Sequence, residues 1–124
     1  DEALANFNEA QKIYDVTPNT PMRDELLCIK SIGNAYYIKN DFANAYDKHI
    51  LALNLLDITP ELSGNELVRS ELLIEVANDL VKLEQKDEAA KNYKEVLEIL
   101  KGKEQNPRAL GLLERASKGL KELN

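Results

Sequence analysis

An all-α protein is what this sequence predicts, and three observations carry the expectation. Apolar residues recur at spacings of three and four along every long segment, the period of a helix with one buried face. No window alternates apolar and polar residues with β-branched side chains, so strands are not expected. The four prolines stand between the periodic segments: Pro18 and Pro21 in DVTPNTPMRDE, Pro60 (with Gly64) in DITPELSGNE, and Pro107 in GKEQNPRAL. Composition agrees with a packed domain. Apolar residues make up 44% and charged residues 31% of 124 residues, too apolar for a disordered chain.

The elements follow in order. Residues 1 to 15 read as a helix with Ala3, Phe7, Ala10 and Tyr14 on one stripe. The stretch from Arg23 to Asp57 is too long for one ordinary helix and is broken by Lys39, Asn40 and Asp41. Asp41 suits a helix cap, which gives two antiparallel helices near 22 to 39 and 42 to 57. The same plan returns near 65 to 84 and 87 to 102, with Asp87 as the expected cap of the second. A last helix, 107 to 123, opens on Pro107 and carries Leu110, Leu113, Ser117 and Leu120 on one stripe. About six helices result, in one domain over residues 1 to 124: a lone helix in 1 to 17, hairpins at 22 to 57 and 65 to 102, and a closing helix.

The two hairpins share a frame. Ala45 and Ala89 are 44 residues apart, and His49, Ala52 and Leu55 correspond at the same offset to Tyr93, Val96 and Ile99. Ile32, Gly33 and Tyr36 in the leading helix correspond to Val76, Ala77 and Leu80. The first helix repeats the frame 42 residues earlier, with Ala3, Phe7, Ala10 and Ile13. Small residues at Gly33 or Ala77, and at Ala45 or Ala89, let the two helices of a hairpin approach closely. A hairpin that cannot bury both of its apolar sides stacks on its neighbours, so a short helical solenoid is expected.

With these residues in place, the segment IGNAYYIKNDFANAYDKHILALNL, Ile32 to Leu55, resembles the tetratricopeptide repeat. It has the small residue Gly33 after Ile32, an aromatic at Tyr36, a small residue at Ala45, then His49 in the place of the second aromatic and Ala52. The second unit keeps Ala89 and Tyr93 but has Ala77 for the glycine, Leu80 for the aromatic and Val96 for the alanine; the tryptophan of the pattern is Ile29 in one unit and Leu73 in the other. The period also differs, 42 to 44 residues against the family's usual 34. Long periods of this kind are more similar to those of bacterial regulatory and sensor proteins than to those of chaperone adaptors. The resemblance implies a right-handed superhelix of antiparallel hairpins. Asp1 at the start, with no leading helix before residues 1 to 17, fits a piece of a larger array.

Function is expected to be binding rather than catalysis. The resemblance implies a concave surface lined by the leading helices, and helix geometry turns Lys30, Asn34, Tyr37 and Ile38 away from the packed stripe, with Glu71, Ile74, Asn78 and Lys82 in the next unit. Such a lining suits a protein or peptide partner, with Tyr37 as an aromatic anchor. In the chaperone adaptors of the family a lysine and an asparagine at the places of Lys30 and Asn34 help grip a terminal carboxylate, but Glu75 stands where a further asparagine is needed and would repel it. The alternative is an architectural segment that assembles with other copies through its open ends, at Ala3, Phe7 and the last helix.

Other chemistry finds little support. No glycine-rich loop, nucleophile elbow or facing acid pair is present, and Glu71 with Glu75 and Glu84 with Glu88 read as solvated faces. The single cysteine, Cys28, reads as a small buried helix residue, and His49 as a packed side chain rather than a ligand or base. One Cys and one His at no credible spacing make no zinc site, and no cofactor is expected. A net charge of −6 disfavours nucleic acid as a partner, and no apolar run is long enough to span a membrane. The compartment is open between the cytoplasm, which is favoured, and a bacterial periplasm. Gly33 is assigned to packing, Gly64 and Gly102 to turns, and Gly111 and Gly119 are expected to loosen the last helix by about 1 kcal/mol each.

Overall fold

The structure is a computed structural model and describes residues 22–59 and 65–123. The expected first helix, with Ala3, Phe7, Ala10 and Tyr14, and the turn at Gly64 lie outside the described residues. Among the described residues there are five α-helices and no strand: α1 (Met22–Ile38), α2 (Phe42–Ile58), α3 (Glu66–Lys82), α4 (Lys86–Ile99) and α5 (Pro107–Glu122). The chain forms two compact units, Asp1–Ser63 and Gly64–Asn124.

In the first unit α1 and α2 pair as a hairpin. Its trailing helix buries Ala45, His49, Ala52 and Leu56, a stripe at spacings of four, three and four. Its leading helix buries Leu26, Cys28, Ile29, Ile32 and Ala35. In the second unit α3 and α4 pair in the same way, and α5 packs on α4 and, over a smaller area, on α3. The trailing helix and its cap bury Ala89, Tyr93, Val96 and Leu100, which are the first stripe moved by 44 residues. The closing helix buries Ala109, Leu112 and Ala116.

The turns repeat as well as the stripes. Asn40 and Glu84, again 44 residues apart, both have positive φ, 65° and 62°. In each turn the next residue's amide reaches back to the helix: Asp41 N–H donates to the Tyr36 carbonyl (2.9 Å) and Gln85 N–H to the Leu80 carbonyl (2.8 Å). With the bonds over three residues from Asn40 N–H to the Tyr37 carbonyl and from Glu84 N–H to the Val81 carbonyl, these are two Schellman turns, which satisfy the last carbonyls of a leading helix and reverse the chain.

The helix starts are set by side chains. Asp41 caps α2, accepting from the Asn44 amide N–H and, at 2.7 Å, from its side-chain Nδ2. Asn65 caps α3 through Val68 N–H (3.1 Å), and Asn106 caps α5 through Arg108 and Ala109 N–H, with Pro107 in the first turn. The fourth cap differs from expectation. Helix α4 starts at Lys86 after Gln85, which makes no side-chain cap bond, and Asp87 lies inside the first turn. There its charge favours the positive helix end without accepting a capping bond. The helix also stops at Ile99 rather than 102, because the following turn passes through Gly102 at φ +83°.

Candidate functional site

Two surfaces were candidates: the exposed faces of the leading helices and the edge formed by the last helix. On α1, Lys30, Asn34 and Tyr37 are half-buried and Ile38 is 80% exposed. The Tyr37 ring meets Phe42 edge-on, with centroids 5.2 Å apart, so the hairpin turn fixes its orientation. Lys30, Tyr37, Ile38 and the 43% exposed Leu27 leave a mixed apolar and basic surface along the first leading helix.

Asn34 has a further role that spacing alone did not show. His49 Nε2–H of the trailing helix donates to its Oδ1 at 2.9 Å. The equivalent pair recurs 44 residues later, where Tyr93 O–H donates to Asn78 Oδ1 at 2.5 Å. Both rings are buried, so each asparagine satisfies a polar group that the close hairpin crossing removes from water. Gly33 makes room for the first ring: a Cβ there would come within 2.7 Å of His49.

On α3 the proposed lining divides. Ile74 is buried, with 1% of its surface exposed, and has no face to offer a partner. Helix geometry turns it away from the packed stripe of its own hairpin, but that stripe alone does not decide which side chains tertiary packing covers. Glu71 is held by Arg108 of α5, whose Nη2 lies 3.1 Å from Glu71 Oε2. Asn78 is half-buried with Tyr93, and Lys82 at the helix end is exposed. Expected groove residues therefore remain accessible chiefly on α1.

The second surface lies on α4 and α5. A shallow groove of about 630 Å³ runs between Leu97 and Lys101 of the α4 end and Leu110, Leu113, Ser117 and Lys121 of α5. Leu110 is 40% exposed, and Leu97 and Leu113 are half-buried. The rim mixes charges, Lys101, Lys118 and Lys121 with Glu104 and Glu114. Gly119, on the opposite side of α5, is a packing residue and not a loosening one: a Cβ there would come within 2.7 Å of the Tyr93 ring. Gly111 has open space around it, as expected of a residue that only lowers helix propensity.

Among the described residues no group of three or more His, Cys, Asp or Glu side chains is placed to hold a metal ion. No helix among them is long and apolar enough to cross a membrane. Cys28 is buried with no disulfide. In comparisons with known proteins, no protein-family model, no curated protein and no solved structure matches this chain.

Proposed function

We propose that this chain is a non-catalytic, tetratricopeptide-like interaction module that binds a polypeptide along its first leading helix, as part of a larger regulatory or sensor protein. The observation that carries the reading is the recurrence of one hairpin geometry after 44 residues: the pairs Asn34 with His49 and Asn78 with Tyr93, and the left-handed turn residues Asn40 and Glu84. A repeated hairpin is the building unit of binding solenoids, whose leading helices present side chains that packing does not use. On the first leading helix Lys30 and Tyr37 are half-buried and Ile38 is exposed, with Leu27 beside them, and Tyr37 packs its ring edge against Phe42. Tyr37 is the anchor of the surface, because its ring is held by Phe42 and loses little freedom on binding.

Selection of a displayed random-peptide library on the chain, compared with Y37A, tests this. Binders that lose about tenfold or more in affinity against Y37A, about 1.4 kcal/mol, support the surface. The helical circular dichroism of Y37A is expected to match the wild type, since Tyr37 is half-buried and outside the His49 contact. Binders indifferent to Tyr37 and to Lys30 would remove this face from the function.

A further inference from the structure

One stripe of the first hairpin departs from the 44-residue frame. On α1, Leu27, Ser31, Asn34 and Ile38 follow one another at spacings of four, three and four, so they share a single face of the helix. Leu27 and Ile38 are exposed, and the two polar residues between them are half-buried. The corresponding places on α3 hold Glu71, Glu75, Asn78 and Lys82, so the charged residues of the second hairpin give way and only the asparagine is kept. The hairpin geometry therefore does not call for leucine and isoleucine at these places. Large apolar side chains left in water at both ends of one helix face mark a contact surface.

The order of the residues says what the partner is. Read in either direction the stripe runs large apolar, small polar, small polar, large apolar, with the same spacings. Two such helices laid antiparallel bring Leu27 of one copy against Ile38 of the other and Ser31 against Asn34, each pair twice. Asn34 is prepared for this contact by its own hairpin: its Oδ1 accepts from His49 Nε2–H, which leaves the Nδ2 hydrogens as donors for the Ser31 hydroxyl of the other copy. Charge favours the same orientation. Lys30 and Tyr37 share one flank of the stripe, and an antiparallel neighbour sets the ammonium of one against the ring of the other. On the other flank Asp24 comes beside Lys39 of the other copy, where the Asp41 carboxylate is taken up by Asn44. A parallel pair would instead oppose Lys30 to Lys30.

We infer that this face of α1 pairs with the same face of a second copy of the chain, as an antiparallel, two-fold contact. The inference rests on the binding surface proposed above and names its partner. From Leu27 to Ile38 the stripe spans about 16 Å of helix, which places the contact among weak, reversible ones.

Sedimentation equilibrium of the whole chain tests this with L27E, with I38K and with the variant carrying both substitutions. The wild type is expected to dimerise with a Kd on the order of 0.1 mM, and each single variant to weaken that at least about tenfold with unchanged helical circular dichroism. Antiparallel pairing sets position 27 against position 38. The doubly substituted chain, and an equimolar mixture of the two single variants, are therefore expected to regain the dimer through opposite charges. A wild type still monomeric at about 1 mM would overturn the inference. So would single variants that dimerise like the wild type, or a double variant no better than the singles. A monomeric wild type whose selected peptides still depend on Tyr37 would remove the second copy as partner and leave the proposed surface standing.

Discussion

The α1–α2 and α3–α4 hairpins meet one geometric demand with different side chains. Each fully buries an alanine of its trailing helix, Ala45 or Ala89, and each brings a buried ring of that helix against an asparagine of the leading helix. In the first the ring is His49, the acceptor is Asn34 and Gly33 lies against the ring; in the second the ring is Tyr93, the acceptor is Asn78, Ala77 stands at the place of Gly33, and Gly119 of α5 lies against the ring. The asparagine is kept while ring and small residue change together. What the crossing requires is a polar ring tip, an amide acceptor 15 residues before it and a gap fitted to the ring. The ends differ in quality. The first hairpin turns through Asn40 and starts its second helix on the capping Asp41, whereas the second turns through Glu84 and starts on Gln85, which caps nothing. Asparagine tolerates the left-handed conformation better than glutamate, so the turn of the second hairpin is the weaker one.

Substitutions can break or sharpen this comparison. The largest effect is expected from overpacking the crossings: A45L and A89L each cost about 1–3 kcal/mol, read as a lower urea midpoint at unchanged slope. Equal losses extend the equivalence; a loss at one site only would confine the close crossing to that hairpin. Next come the glycines. G33A and G119A should lower stability, because the added methyl must displace His49 or Tyr93 from a hydrogen-bonded position, whereas G111A should raise it by about 1 kcal/mol in the thermal midpoint analysis. A stabilising G119A would return that residue to the role of a simple helix weakener.

Smaller effects concern the turn of the second hairpin, which can be rebuilt in the image of the first. Q85D supplies the missing cap and is expected to add about 0.5–1 kcal/mol, while D41A removes the existing one and costs about 1 kcal/mol. E84G relieves the left-handed strain and should add a few tenths to about 1 kcal/mol, more than N40G, both read by chemical denaturation. A gain at Asn40 as large as at Glu84 would show that the two turns are equally strained.

Much of this architecture was legible in residue spacing. Period and prolines placed five helices to within about three residues at their ends, since a buried stripe leaves a strong imprint on composition. The start of α4 was misread because Asp87 is the better capping residue in isolation, yet the Schellman turn at Glu84 fixes the chain reversal and puts Gln85 at the cap. Gly119 was misread because its partner, Tyr93, is distant in sequence and no local rule reveals the contact. The candidate site was less legible for the same reason. Helix geometry turns Asn34 away from the packed stripe, yet its side chain accepts from His49, and the burial of Ile74 depends on tertiary packing. Only the 15-residue interval between asparagine and ring, present twice in the shared frame, was available as a signal.

The equivalence of the two hairpins is tested most directly by a pair of double-mutant cycles, N34A with H49F and N78A with Y93F, each followed by urea unfolding. A coupling free energy of about 0.5–1.5 kcal/mol is expected in both cycles, because each removes one buried hydrogen bond at the same place in the frame. A clear coupling in one hairpin and none in the other would contradict the account, leaving the shared spacing without a shared structural cause.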